Sequence, residues 1–212
     1  MSDANDWIDV SVPIRAGMPI YPGDPEFRIR RVADLAAGDH ATVSEVCMGL
    51  HTGTHIDSPS HFIEGAPGMA AMPLDATVGP ARVLAMPAED AVTAEDLRAC
   101  DIRAGERILL KTRNSSTWAE PGFHEDFVHL ATEAAVYLAS LPVRCLGVDY
   151  LSVGGFHRNG TPVHLALLGA GVWLIEGLDL SAVEPGDHDL ICLPLRFEDA
   201  EASPARALVR PR

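Results

Sequence analysis

His51-Thr52-Gly53-Thr54-His55-Ile56-Asp57-Ser58-Pro59-Ser60-His61-Phe62 gathers three of the chain's nine histidines and one aspartate into a dozen residues. Imidazole nitrogen and carboxylate oxygen are the donors that suit zinc, manganese and iron. Gly53 and Pro59 argue against a regular helix here. The stretch follows Ala41–Leu50, whose β-branched Thr42, Val43 and Val46 predict a strand. If the backbone stays extended, His55 and Asp57 point to the same side, because strand side chains alternate with period two. Thr52-Gly53-Thr54 is then the bend that swings His51 onto that side, glycine turning without a Cβ clash. A lone loop histidine is usually solvated or a satisfied core residue. Three of them with a carboxylate, this close together, predict a metal site. The pattern is not HExxH, so a mechanism built on a helix-borne glutamate does not transfer.

Composition sets the outer bounds. The 212 residues suffice for one large domain with a proper core, and no internal repeat, low-complexity segment or linker divides them. One domain spanning 1–212 is therefore expected. A net charge of −14 argues against a nucleic-acid partner, since phosphate binding needs clustered Lys and Arg. Cys47, Cys100, Cys145 and Cys192 are scattered, with no CxxC pair, and three lie in apolar, strand-like surroundings. They read as buried free thiols in a reducing compartment, which points to the cytoplasm. Met1–Asp9 has no basic and apolar regions of a signal peptide, and no run is long enough to span a membrane.

Outside the histidine-rich stretch the chain reads as strands with a few helices, an α/β or α+β class with mixed sheets. Trp7–Val12 is a first strand, and Phe27–Val32 is expected to pair with it. Between them, Pro19, Pro22, Gly23 and Pro25 make an irregular loop around Tyr21, either a half-buried anchor or an aromatic wall for a substrate. Residues 63–76 are loop-like and could be a lid or a connector. Ala81–Ala85, Arg107–Lys111 and Cys145–Leu151 are apolar strands, and Asp149 near the end of the last is site support or a helix cap. Thr93 and Asp96 form a near capping box, and His129–Leu141 shows an apolar face at helical spacing, with His124 and His129 expected on the surface. Thr161-Pro162 resembles a helix start that would put His164 in the first turn, closed by Gly169–Gly171. Glu176 ends the strand Val172–Ile175, where a carboxylate is costly unless paired or metal-bound. Asp189–Leu195 and Ala205–Val209 are closing strands.

The His51–Phe62 stretch resembles the signature of the metal-dependent cyclase-family hydrolases, which include bacterial kynurenine formamidases and isatin hydrolases. Met18-Pro19-Ile20-Tyr21-Pro22-Gly23-Asp24-Pro25 matches that family's Pro-x-aromatic-Pro-Gly-Asp segment, and His164 and Glu176 fall twelve apart, like the second ligand pair of the formamidase branch. Ala202-Ser203-Pro204-Ala205-Arg206-Ala207 is similar to its closing segment. The resemblance implies a swivelling β/β/α architecture with a mixed sheet. It implies two divalent ions per chain, zinc or manganese: His51, His55 and Asp57 on one, His164 and Glu176 on the other, with both carboxylates able to bridge. Two ions ~3.5–4 Å apart can hold a hydroxide and polarise a carbonyl. His61 matches the family's proton shuttle, with a further metal ligand as the other role. Tyr21 stands where the formamidase branch has Trp.

The activity so implied is arylformamidase, hydrolysing N-formyl-L-kynurenine to L-kynurenine and formate. The alternatives are a cyclic amide or lactone hydrolase of the isatin hydrolase kind, and a non-catalytic metal-binding member of the fold. No GxSxG elbow indicates a serine mechanism. The partners implied are a small aromatic amide and further copies of the chain, as dimer or tetramer, with no nucleic acid and no membrane.

Overall fold

The strand that carries the histidine-rich stretch is only three residues long, yet it is hydrogen-bonded on both sides and closes the main sheet. In the computed structural model, which describes residues 6–212, the strands are β1 (Ile8–Asp9), β2 (Arg28–Ala33), β3 (Val43–Cys47), β4 (His55–Asp57), β5 (Val78–Ala85), β6 (Ala91–Val92), β7 (Arg107–Lys111), β8 (His129–Leu130), β9 (Cys145–Val148), β10 (Trp173–Glu176), β11 (Gly186–Pro194) and β12 (Ala202–Pro211). The helices are α1 (Leu74–Thr77), α2 (Ala94–Arg98), α3 (Thr132–Ser140) and α4 (Gly160–Gly169), with 3-10 turns between. The reading of Met1–Asp9 as leaderless lies partly outside the described residues. Among the described residues, no helix is long and apolar enough to cross a membrane.

The main sheet runs β1-β12-β11-β5-β7-β9-β10-β4, and β12 also pairs with β4, so the sheet closes on itself like a barrel. Strands β5, β7, β9 and β10 are parallel neighbours, and the remaining pairings are antiparallel. The fold is therefore mixed α/β with a mixed sheet, as expected. Period two sorts the side chains. Leu109, Cys145, Ile175 and Ile56 join the core inside the sheet, while Ile108, Leu110, Leu146 and Leu174 face outward. There they pack with Leu97 of α2, Leu138 of α3 and Val163 and Leu167 of α4. A Cβ on Gly147 would meet the side chains of Leu109 and Leu178 at 2.4 and 2.9 Å, so glycine lets the inner layer close.

Several local expectations need correction. Arg28–Ala33 does not pair with the first strand; it forms a separate two-stranded ribbon with β3. Residues expected to make an apolar strand at 41–50 are exposed along the whole of β3. Ile29, Val32, Val43 and Val46 face solvent because, among the described residues, no layer packs on the ribbon. Cys47 is consequently exposed and Cys100 half-buried, leaving Cys145 and Cys192 as the buried thiols. His129 is buried against Phe127 and the Cβ-free Gly155 rather than on the surface. Helix α4 starts at Gly160 with Asn159 as cap, two residues before the expected cap, so His164 lies in its second turn. Pro162 still fits, because first-turn N–H groups have no intrahelical acceptor. The Thr93 capping box is present, with the Asp96 carboxylate accepting the Thr93 N–H and the Thr93 hydroxyl oxygen accepting the Asp96 N–H.

Candidate metal centre

Strand geometry assembles the cluster. In β4, Ile56 is buried inside the sheet, so His55 and Asp57 emerge together on the outer face. Antiparallel pairing with β10 sets Glu176 directly opposite His55. Helix α4 covers this face and supplies His164. Gly53 has φ +68°, a left-handed conformation open to glycine, at the bend expected to bring His51 round. His61 follows in a 3-10 turn at Pro59–His61.

The side chains converge closely. His51 Nδ1 lies 3.0 Å and His55 Nε2 3.4 Å from Asp57 Oδ1, while His164 Nε2 lies 3.8 Å from Asp57 Oδ2. Glu176 faces His55 and His164, each at 3.3 Å. Its Oε1 also accepts the Val153 N–H at 2.7 Å, which fixes the carboxylate. Donor atoms of His51, Asp57 and His61 lie within 4.8 Å of one another, as do those of His55, Asp57 and Glu176. The structure thus brings together all six polar residues singled out in the sequence.

Asp57 and His55 are fully buried, yet His55 Nε2 and both Asp57 oxygens lack an aligned hydrogen-bond partner. Buried polar atoms almost always have one. A carboxylate removed from water costs on the order of several kcal/mol unless a cation compensates it. Orphaned donors of this chemistry, facing one another, fit divalent cations. The cluster's own charges point the same way. Burial opposes the positive charge on His55, but the Asp57 and Glu176 carboxylates outweigh it and raise the imidazole to about 10. Burial likewise opposes ionisation of Asp57, and the flanking His51 and His55 hold it well below the usual carboxylate range. His61 is pushed down, chiefly by burial and only partly offset by Asp57, so its neutral form dominates.

The cluster floors a pocket of about 560 Å³ whose lining includes Tyr21, Asp24, Phe62, Ser152 and His157. Tyr21 meets Phe123 and Phe156 edge-on at 5.5 and 5.6 Å, and burial raises its phenol. Residues 63–76 contribute nothing to this lining. Their Met69 is buried and its N–H is tied to Ala200 O, which makes the segment a connector. Asp149 accepts from the backbone N–H groups of Thr112 and Ser115 and from both hydroxyls, so it anchors the 3-10 turn at Arg113–Ala119. It is a cap, not a donor to the cluster. The sequence reading gave no role to Phe62, which stacks on the His164 ring at 4.3 Å and 19°. Its position inside the histidine-rich stretch was the one available signal.

Fold and site together define a closed mixed-sheet α/β protein with a buried histidine–carboxylate cluster able to hold divalent cations. The Cyclase family model matches residues 8–154, and the chain belongs to that family. It is 33% identical over 208 residues to a kynurenine formamidase of Bacillus cytotoxicus, covering 98% of this chain and 99% of the relative. It is 34% identical to a kynurenine formamidase of Bordetella avium, covering 95% and 96%. A solved structure described as a potential metal-dependent hydrolase with cyclase activity superposes with TM-score 0.85 at 37% identity, covering 97% of this chain and 98% of that one. An isatin hydrolase bound to thioisatinate has the same fold, with TM-score 0.86 at 19% identity and coverage of 98% and 93%.

Proposed function

We propose that this protein is a metal-dependent amide hydrolase, an arylformamidase that converts N-formyl-L-kynurenine and water to L-kynurenine and formate. The observation that carries the reading is the orphaned, buried Asp57–His55 pair directly behind His51, His164 and Glu176, which line an aromatic-walled pocket. The kinship with kynurenine formamidases over nearly the whole chain supports the substrate. Two ions are proposed per chain, zinc or manganese. His51, His55 and Asp57 would hold one, and His164 and Glu176 the other. When bound, such ions polarise a carbonyl and lower the pKa of water towards ~7.

The chain's own groups then have defined tasks. His61, neutral at the pocket floor, takes a proton from the attacking water and hands it to the leaving nitrogen. The water's oxygen ends on the formyl carbon, the C–N bond breaks, and the aryl amine keeps the transferred proton. Tyr21, braced by Phe123 and Phe156, flanks the aryl ring. We further propose one domain over 1–212, a cytoplasmic location and a homo-oligomer. The uncovered apolar ribbon of β2 and β3 supports the last. The smaller aromatic face of Tyr21, compared with Trp, favours a second reading, hydrolysis of a cyclic amide such as isatin. Metal-reconstituted protein assayed on N-formylkynurenine and isatin side by side decides between them. Activity on neither, with metal bound, would indicate a non-catalytic member.

Metal loading should release protons. A ligating imidazole must be neutral, whereas His55 carries its proton up to about 10. At pH 7.5, zinc binding should therefore expel at least one proton per chain, and apparent affinity should fall as the pH is lowered. Calorimetry in buffers of different ionisation enthalpy measures this, and zero net release would count against His55 as a ligand. Tyr21→Ala should raise KM for the aryl substrate roughly two- to tenfold, the worth of one aromatic contact. Stacking acts in ground and transition states alike, so kcat should move less. Unchanged KM would remove Tyr21 from the site.

A further inference from the structure

The three histidines nearest the carboxylates do not present the same ring nitrogen to them. His55 and His164 each engage a backbone carbonyl through Nδ1, Gly53 O at 2.9 Å and Gly160 O at 2.7 Å, and turn Nε2 to the cluster. His51 is reversed. Its Nδ1 faces Asp57 Oδ1 at 3.0 Å, and its Nε2 points away, 3.6 Å from Glu201 Oε1. For His51 the group placed to play the part of those carbonyls is a carboxylate from the far end of the chain, at an ion-pair separation slightly beyond hydrogen-bond distance.

Glu201 is held where it can do this. Ser58, the residue after Asp57, donates both its N–H (2.9 Å) and its hydroxyl (2.8 Å) to the Glu201 carbonyl. The next residue, Ala202, pairs with Asp57 in the β12–β4 ladder. One short linkage therefore ties the central carboxylate of the cluster to the backbone that carries Glu201, and it gives Ser58 a purpose. Because the two ring nitrogens of His51 point in diverging directions, Glu201 cannot share an ion with Asp57 through that ring.

We propose that Glu201 is a positioning residue of the metal centre. With a small movement of its exposed side chain, its carboxylate accepts the Nε2–H of His51 and so leaves Nδ1 as the free donor facing Asp57. The inference rests on the reading of His51 as a metal ligand. A neutral imidazole carries one N–H, and the partner of one nitrogen decides whether the other can ligate. Without an acceptor at Nε2, the proton settles on Nδ1, where Asp57 Oδ1 waits, and that bond must break before His51 can bind. Glu201 is 44% exposed, so its direct attraction for a cation is screened. Its effect runs through the tautomer and orientation of the ring, and loss of such a partner typically weakens metal affinity by about 10- to 100-fold.

The test compares wild-type protein with Glu201→Ala and Glu201→Asp, each stripped and titrated with zinc against a chelating dye. Nitrogen NMR of the imidazoles follows the zinc-loaded forms, and thermal melting follows the stripped ones. Glu201→Ala should weaken one of two zinc ions by about 10- to 100-fold, leave the other at wild-type affinity and leave the melting of stripped protein unchanged. Glu201→Asp, with the charge kept, should fall between. In the wild type, one ligated histidine should carry its proton on Nε2, opposite to the other two. Wild-type affinity for both ions in Glu201→Ala, or three histidines all ligating through Nε2, overturns the assignment while leaving the metal reading intact. Wild-type protein that takes up no zinc overturns both.

Discussion

Asp57→Asn is expected to empty both metal positions and bring hydrolysis to background. The carboxylate is the hub of the cluster: Oδ1 faces His51 and His55, and Oδ2 faces His164. The amide has nearly the same volume, but it removes the negative charge and places an NH₂ where an acceptor is required. Backbone pairing of β4 with β10 and β12 does not involve the side chain, so the strand should stay in place. Elemental analysis should find close to two ions per chain in the wild type and fewer than one in the variant. Unassisted water has a pKa of about 15.7 against about 7 for water on a suitably held cation, so the lost turnover should span several powers of ten. A variant that keeps two ions, or keeps most of its turnover, would refute the shared-carboxylate reading.

The core of this site was legible because its signals are local. Period-two alternation over His55-Ile56-Asp57 and the left-handed turn at Gly53 both follow from neighbouring residue types. The apposition of Glu176 with His55 is a register between strands about 120 residues apart, which no local pattern encodes. Resemblance to a family brought that carboxylate into view; its own neighbourhood showed only that it would be costly to bury. The failures share one cause. Thr42, Val43 and Val46 announce a strand but not whether anything covers it, and β3 proved to be bare. His129 precedes a helix and looks solvated in sequence, yet the missing Cβ of Gly155 lets its ring sink in. Glu201 sits in the acidic run Glu198-Asp199-Ala200-Glu201, which reads as a solvated turn until the β12–β4 ladder brings it beside His51.

His61→Ala should retain both ions and lose turnover by ~10²–10⁴-fold, the usual worth of a positioned proton carrier. The ring sits 4.2 Å from that of His51 and 5.8 Å from that of His164 and lines the pocket. It also lies close enough to His51 and Asp57 to serve as a ligand, so metal content is what separates the two roles. Burial lowers its pKa below the ordinary 6.5, with Asp57 pulling the other way, and cations in the cluster would depress it further. The base form is therefore present above that lowered value and is lost as the pH falls through it. An acidic limb in kcat/KM below pH 6.5 is expected for the wild type, and it should vanish in the variant. Parallel loss of metal and activity would make His61 a ligand. An acidic limb that persists unchanged in His61→Ala would assign the titration to another group.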